Sequence, residues 1–300
     1  MKSVIIDGNN ACFRSLTSRG VRTMQGMTLT KNDKQELVAT IIFGLLNLII
    51  KIAMEEQTND FIFCWDTKES LRRDRYPFYK SKRRYEKSRL PHNPASGEDF
   101  LKIGKRTFDF LRTEILPYIG LMNQFHHPGY EADDLIAQIV DTYLEDEFLV
   151  VSNDKDLYQL LDRCRIWNYR NKIYTREMFI SEFGVEPAQW LSVKAIAGDW
   201  SDYIDGIDQV AIKTAVKFVN GTLGKNTKAY MNIISEEGRE IVSRNKWLMK
   251  IPHPGTPQIE LYENDLSLQR FLSLCNRYGF DAFLTGRKLE QWKHFFDGTL

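Results

Sequence analysis

The sequence predicts an α/β protein: an open, mainly parallel sheet flanked by crossover helices, followed by a mainly helical region. Three observations predict it. The runs "SVIID", "DFIFCWD" and "EFLVVSND" are short, apolar and rich in β-branched and aromatic residues, as buried parallel strands are. Helical patterns lie between them, at Gln35 to Glu56, Glu98 to Leu116 and Asp133 to Leu144. Strand and helix alternating in this order form crossover units. "MNQFHHPG" adds a fourth short strand or loop before the third helix.

From about Thr175 the texture changes. "TREMFISEFGVEPAQWLSVKAIAGD" is helical, punctuated by Gly184 and Pro187, and "VAIKTAVKFV" is another helix. The expected division is therefore an α/β part over 1–180 and a helical part over 181–300. The expected mobile loops are 89–97, 220–227 and 252–257, all rich in helix breakers.

Composition narrows the class. With 41 basic and 40 acidic residues the net charge is +1, which excludes a uniformly basic nucleic-acid binder but leaves room for local patches. Cys12, Cys64, Cys164 and Cys275 are far apart and read as reduced thiols of a cytoplasmic protein, not as a zinc site. The N-terminal apolar run stops at Asp7, too short for a secretory signal. "LVATIIFGLLNLIIKIAM", Leu37 to Met54, carries Gly44, Asn47 and Lys51 and reads as a buried helix, not a membrane span.

All three strands end in aspartate: Asp7, Asp66, and Asp154 with Asp156 two residues on. One strand-end aspartate is an ordinary turn-former or helix cap. Three point to the carboxyl edge of a parallel sheet, where ligands bind. "GYEADDLIAQIV" adds Glu131, Asp133 and Asp134 at a helix entrance, where acids also suit the helix dipole. "GDWSD" adds Asp199 and Asp202, on one face if the segment is helical. Two like charges about 4 Å apart repel by roughly 4 kcal/mol at an effective dielectric of about 20, so nine gathered acids need counter-charge. All-oxygen ligation suits magnesium or manganese. More acids than one ion can use imply two ions, a recurring device for phosphodiester hydrolysis.

A basic segment follows Asp66. Between Arg72 and Arg89, "RRDRYPFYKSKRRYEKSR" holds nine basic residues against two acidic ones, a net +7, with Tyr76, Phe78, Tyr79 and Tyr85 interleaved. As a generic run it would be a solvated face. Beside an acidic edge it is suited to backbone phosphates, and its aromatic faces to unpaired bases.

In order and spacing, "IIDGNN", "WDTKESLRRDRYPFYKSKR", "GYEADDLIA", "SNDKDLYQLL" and "KAIAGDWSDYIDGI" resemble the structure-specific 5′-nucleases, or flap endonucleases, particularly the bacteriophage 5′→3′ exonuclease/RNase H members. The resemblance covers roughly 3–220; residues 230–300 carry no matching motif. It implies a PIN-like core, a helical arch over about 67–105, and a helix–hairpin–helix-like element over Gly198 to Phe218. It implies that Glu131, Asp133, Asp134 and Asp154 gather near one ion and that Asp156, Asp199 and Asp202 hold a second. Asp7 and Asp66 would act partly through water. Lys80 and Arg83 match the pair on the scissile phosphate, with Asp154 central to catalysis. Tyr79 matches a base-stacking position and Lys194 a basic residue before "GD". Arg72, Arg73, Lys82, Lys87 and Lys213 complete the implied nucleic-acid contacts. The implied cofactor is Mg²⁺, two ions, with Mn²⁺ as substitute. The implied partners are DNA with 5′ ends, flaps or forks, RNA–DNA hybrids, and single-strand-binding or other replication proteins. No membrane is implied; the protein would be a monomer in the cytoplasm, the host's if phage-encoded.

One departure stands out. "GIDQVAIKTA" places Asp208, Gln209 and Ala211 where the family hairpin has a proline and two glycines. Those glycines underlie the family's duplex grip and its bound K⁺. The alternatives are a PIN-type ribonuclease acting on RNA only, a non-catalytic DNA-binding protein, and an aspartyl-phosphate phosphatase. The last needs a second acid where the chain has Asn9.

Overall fold

The structure, a computed structural model, describes residues 2–16, 30–80, 97–169 and 172–300. In chain order it contains β1 (Lys2–Asp7), α1 (Gly8–Leu16), α2 (Lys31–Glu56), β2 (Phe61–Cys64), α3 (Leu71–Arg75), α4 (Gly97–Phe110), β3 (Gln124–Phe125), α5 (Ala132–Thr142) and β4 (Glu147–Val151). There follow β5 (Cys164–Asn168), β6 (Lys172–Tyr174), α6 (Arg176–Phe183), α7 (Pro187–Ala197), β7 (Gly198–Asp199), β8 (Ile204–Asp205) and α8 (Ile212–Val219). The chain closes with α9 (Lys228–Ile234), α10 (Glu236–Met249), α11 (Leu268–Tyr278) and α12 (Gly286–Asp297). The strands are mostly parallel and interleaved with helices, the α/β class that the sequence predicts.

Contacts divide the chain into two compact units, each built from separated segments. The first comprises Met1–Asp66, Arg89–His126 and Glu260–Leu300; the second comprises Thr67–Ser88 and His127–Ile259. This division by compactness runs across the change of texture near residue 180, where Tyr158 packs against Tyr174, Phe179 and Trp190.

In the first unit β2 pairs in parallel with both β1 and β3. Val4, Ile5, Ile6, Phe61, Ile62 and Phe63 are wholly buried. α2 starts at a capping box in which Thr30 and Asp33 satisfy each other's backbone N–H groups. It is long and apolar enough to cross a membrane, yet more than half of its apolar window is buried inside the protein. Leu37, Ile41, Leu45 and Ile49 are fully covered, so it is a core helix. The segment expected to be helical from Glu98 to Leu116 is α4, a π-type turn over Leu111–Ile115, and a last turn over Leu116–Tyr118.

The C-terminal residues complete this unit. Asn123 exchanges two hydrogen bonds with the Tyr262 backbone, both 2.8 Å. Asn59 donates to Phe295 O at 2.9 Å. Phe283 stacks on Phe43 of α2 with ring centroids 4.5 Å apart. Gly120, at φ +95°, accepts the Asp265 backbone so closely that a Cβ would sit 1.8 Å from its carbonyl oxygen.

In the second unit β4 and β5 are parallel and β6 returns antiparallel to β5. Neither β5 nor β6 was expected from sequence. The 252–257 segment, expected to be a mobile loop, is held at two points: His253 N–H donates to Asp134 at 2.9 Å, and the Tyr130 hydroxyl donates to Gly255 O at 2.5 Å.

Candidate active site

Asp7 and Asp66 belong to the first unit. Asp7 ends β1, is buried, and accepts the Asn10 N–H at 3.0 Å, so it also caps α1. Gly8 is required next to it, because a Cβ there would lie 2.5 Å from the Trp65 ring. Asp66 is exposed, and its N–H donates to the Asn9 side chain at 3.2 Å.

The other seven acids belong to the second unit, and two lysines organise four of them. Lys194, buried near the end of α7, places its ammonium 2.5 Å from Asp156 and also against Asp199. Lys80 places its ammonium 2.8 Å from Glu131 and 3.5 Å from Asp202. Lys80 N–H also donates to Asp202 O at 3.1 Å, and Lys80 itself stands at φ +54°. Asp154 accepts the Asp156 N–H at 2.8 Å, which fixes the turn after β4. Asp133 lies half-buried in the first turn of α5.

These pairings set the protonation states. Burial alone would raise the Glu131 carboxyl, but Lys80 and Arg72 outweigh it and bring it down to about 2. Burial pushes Asp156 upward; Lys194 pulls against the rise, and the charges of Asp154 and Asp202 add to it. Asp199 is held below the usual carboxylate range: Lys194 and its bonds from Ser201 outweigh burial. Burial would lower the Lys194 ammonium, but Asp156 and Asp199 reverse this and raise it.

The hairpin joining Asp199 to Asp202 depends on two glycines. A Cβ on Gly198 would lie 2.5 Å from Ile204 O, and one on Gly206 would lie 2.2 Å from the Ala197 backbone. With both absent, β7 and β8 pair, and Trp200–Asp202 forms one 3₁₀ turn capped by Asp199. The two acids are thus cap and third residue of a tight turn, not neighbours on a longer helix.

Several expectations need correction. Asp134 is not set out as a ligand: it is fully buried, and both its oxygens are gripped by Arg72 at 2.6 and 2.8 Å. It also accepts the Glu131 and His253 N–H groups. Arg72 is therefore not a nucleic-acid contact. It is buried, and its remaining donors reach Leu248 O and Lys250 O. Lys194, buried among acids, is their counter-charge and not a surface contact. Tyr79 is only 5% exposed and donates its hydroxyl to Glu131 at 3.0 Å; the exposed aromatic is its neighbour Phe78. Arg73 is half-exposed and donates to Lys68 O. Lys82, Arg83 and Lys87 lie outside the described residues. Lys213 is exposed in the first turn of α8.

The hairpin departure has a definite geometry. Gln209 adopts φ +61°, the left-handed conformation that glycine favours. Ala211 is an extended N-cap at φ −84°, where any residue fits. The turn is retained, at the cost of strain at Gln209 alone.

Among the described residues of the second unit, no three of these acids close on one point tightly enough to hold an ion. The donor chemistry nevertheless fits a hard divalent cation. Two pairs of carboxylates already converge on a positive charge, and all the donors are oxygen.

Residues 2–184, more than half of the chain, match the family described as 5′-3′ exonuclease, N-terminal resolvase-like domain. The chain belongs to the 5′-3′ exonuclease family. It is similar to a 5′-3′ exonuclease of Aquifex aeolicus, 27% identical over 283 residues, covering 89% of this chain and 86% of that protein. It is also similar to DNA polymerase I of Mycobacterium tuberculosis, 29% identical over 229 residues, covering 72% of this chain and 22% of that protein. The chain thus spans about a quarter of the length of its DNA polymerase I relatives. Its fold is similar to that of T5 5′-exonuclease with bound divalent metal ions (zinc). There the TM-score is 0.65 at 22% identity, over 84% of this chain and 90% of that one. The catalytic core of Rad2 in complex with DNA substrate gives 0.53 at 14% identity, over 100% and 92%.

Proposed function

We propose that this protein is a divalent-metal-dependent 5′→3′ exonuclease and 5′-flap endonuclease. It would hydrolyse phosphodiesters of DNA and of RNA–DNA hybrid, including RNA primers in replication. The observation that carries this reading is the pairing of Glu131 with Asp202 and of Asp156 with Asp199 around two lysine ammoniums, in a chain of the 5′-3′ exonuclease family.

Bound Mg²⁺, or Mn²⁺ in its place, would supply an activated water and charge stabilisation at the leaving oxygen. Asp7, Asp66, Glu131, Asp133, Asp154, Asp156, Asp199 and Asp202 are the proposed holders. Asp134 serves them indirectly: gripped by Arg72, it accepts the Glu131 N–H and fixes the entrance of α5. Lys194 holds Asp156 and Asp199 close together, favours the ionised form of Asp199 and opposes the upward push of burial on Asp156. Lys80, on its flexible stem, neutralises charge developing on the phosphate once the carboxylates no longer need it. Arg83 is its proposed companion. Arg73, Lys82, Lys87 and Lys213 are proposed to hold the nucleic-acid backbone.

The proposed organisation is a nuclease core over 1–180 with an arch near 67–105, and a duplex-holding region over 181–300. A cytoplasmic monomer working beside replication proteins completes the reading. The test uses end-labelled 5′-flap DNA, RNA–DNA hybrid and RNA hairpin, with and without magnesium. Magnesium-dependent cutting of the flap and the hybrid is expected. Cutting of the RNA hairpin alone would instead identify a ribonuclease, and binding without cutting a non-catalytic DNA-binding protein.

A further inference from the structure

The turn that carries Asp199 and Asp202 also carries aromatic residues that the acid chemistry does not use. Trp200 stands between the two acids, and its side chain is 82% exposed. Its backbone is fixed on both sides: Asp199 bonds to Lys194 and to the Ser201 N–H, and Asp202 O accepts the Lys80 N–H. Tyr203 follows at φ +58°, a conformation that bulky residues rarely adopt. Its ring lies 6.0 Å from that of Trp200, with the planes tilted by 37°.

Tyr203 also lines a cavity of about 400 Å³, together with Tyr76, Phe78, Asp205 and Arg244. Phe78 is 83% exposed and sits two residues before Lys80. The Arg244 guanidinium is held in place by bonds to Asp205 O at 2.8 Å and to the Asn245 side chain at 3.0 Å.

We propose that this cavity and the Trp200 ring receive one unpaired nucleobase of the bound strand. Large aromatic faces exposed on a rigid turn lose little entropy on stacking, and every base offers a flat face to match. An arginine plane adds a further stacking surface. Arg244 and Asp205 together contribute no net charge, so the cavity suits a neutral base better than a phosphate. The neighbouring cation, Lys80, is where the phosphate belongs. The volume falls within the range of small-ligand sites. A protein side chain could also fill an aromatic cavity, but a protein docked here would cover the acids on which the nuclease reading depends. The proposal rests on that reading for the class of its ligand.

The test is a binding cycle run without divalent ions. A 5′-flap DNA carries a single abasic residue, stepped one position at a time along the unpaired strand. The natural protein is expected to lose about 5- to 100-fold in affinity at one position, the loss typical of base–aromatic stacking. Trp200→Ala should lose a similar factor on the unmodified DNA and nothing further on the abasic DNA. Trp200→Phe should recover most of it. Phe78→Ala should lose affinity on unmodified DNA and be insensitive to the same abasic position. Indifference of the natural protein to every abasic position overturns the proposal. So does Trp200→Ala that remains fully sensitive to the critical one. Because the cycle is read without cleavage, it decides the base site by itself. Failure of the nuclease reading would appear separately, as no cutting by the natural protein in magnesium.

Discussion

Asp134 and Asp154 belong to the same unit, yet their surroundings give them opposite work. Asp134 has no exposed surface and two bonds from one guanidinium. Breaking such a pair from one side leaves a buried charge, at a cost of about 3–5 kcal/mol. Arg72→Leu should therefore shift the urea midpoint strongly downward; a change below about 1 kcal/mol would mean that the pair is not a keystone. Asp154 is partly open, and its carboxylate, which accepts the Asp156 N–H within the turn, has room for a ligand. Asp154→Asn should abolish cleavage while DNA affinity without metal stays within a few-fold, read by single-turnover assay and anisotropy. Near-normal turnover in magnesium would remove Asp154 from the metal set. Lys80 and Lys213 divide in the same way. Lys80→Ala should lower turnover by about 10²-fold, as loss of a transition-state donor does. Lys213→Ala, on an open helix turn, should weaken binding and reduce its salt dependence. Similar small losses from both would reduce Lys80 to a general surface charge.

The hairpin shows how far an element can be read from its sequence. That the glycines are replaced is plain in "GIDQVAIKTA"; that the turn survives is not. Gln209 carries the positive φ itself, while Ala211 does not need one. Gln209→Gly should thus change stability by no more than about 1 kcal/mol, strain relief offsetting chain entropy, and Ala211→Gly should give no strain relief. Lacking the glycines, the natural protein should bind duplex equally in potassium and sodium at matched ionic strength. A clear potassium preference would show that the side chains leave an ion site intact. Elsewhere legibility follows burial. β1, β2 and β4 were readable because both faces are covered and their apolar runs are continuous. β5 and β6 were not, because Arg165 and Lys172 interrupt short strands that stay partly open to solvent. The acids were legible by type and by position at strand ends. Their partners were not: Arg72 and Asp134 lie 62 residues apart, and nothing local marks either as the other's match. Trp200 is not legible as a functional residue, because one aromatic among acids carries no period.

At the scale of the molecule, the residues without a motif matter as much as those with one. The family match ends at residue 184, and 260–300 contribute no proposed catalytic group. Yet those residues carry Phe283 against Phe43, Phe295 O to Asn59 and the Tyr262 bonds to Asn123. Removing 260–300 should uncover α2 and leave an aggregating chain with no cooperative melting transition, checked by calorimetry and sedimentation. A soluble, sharply melting truncation would show that the first unit closes without them. The same interleaving sets a timetable for synthesis. β1, α2, β2 and β3 have all been synthesised by residue 126, but their cover is translated more than a hundred residues later. At about 5–20 residues per second that is a wait of roughly 10–30 s. Throughout it, one of the most apolar helices in the chain has no finished place to go. The nascent nuclease should therefore lean on chaperones until α12 emerges, and its yield should respond more to their supply than to a change such as Asp154→Asn among its more open acids.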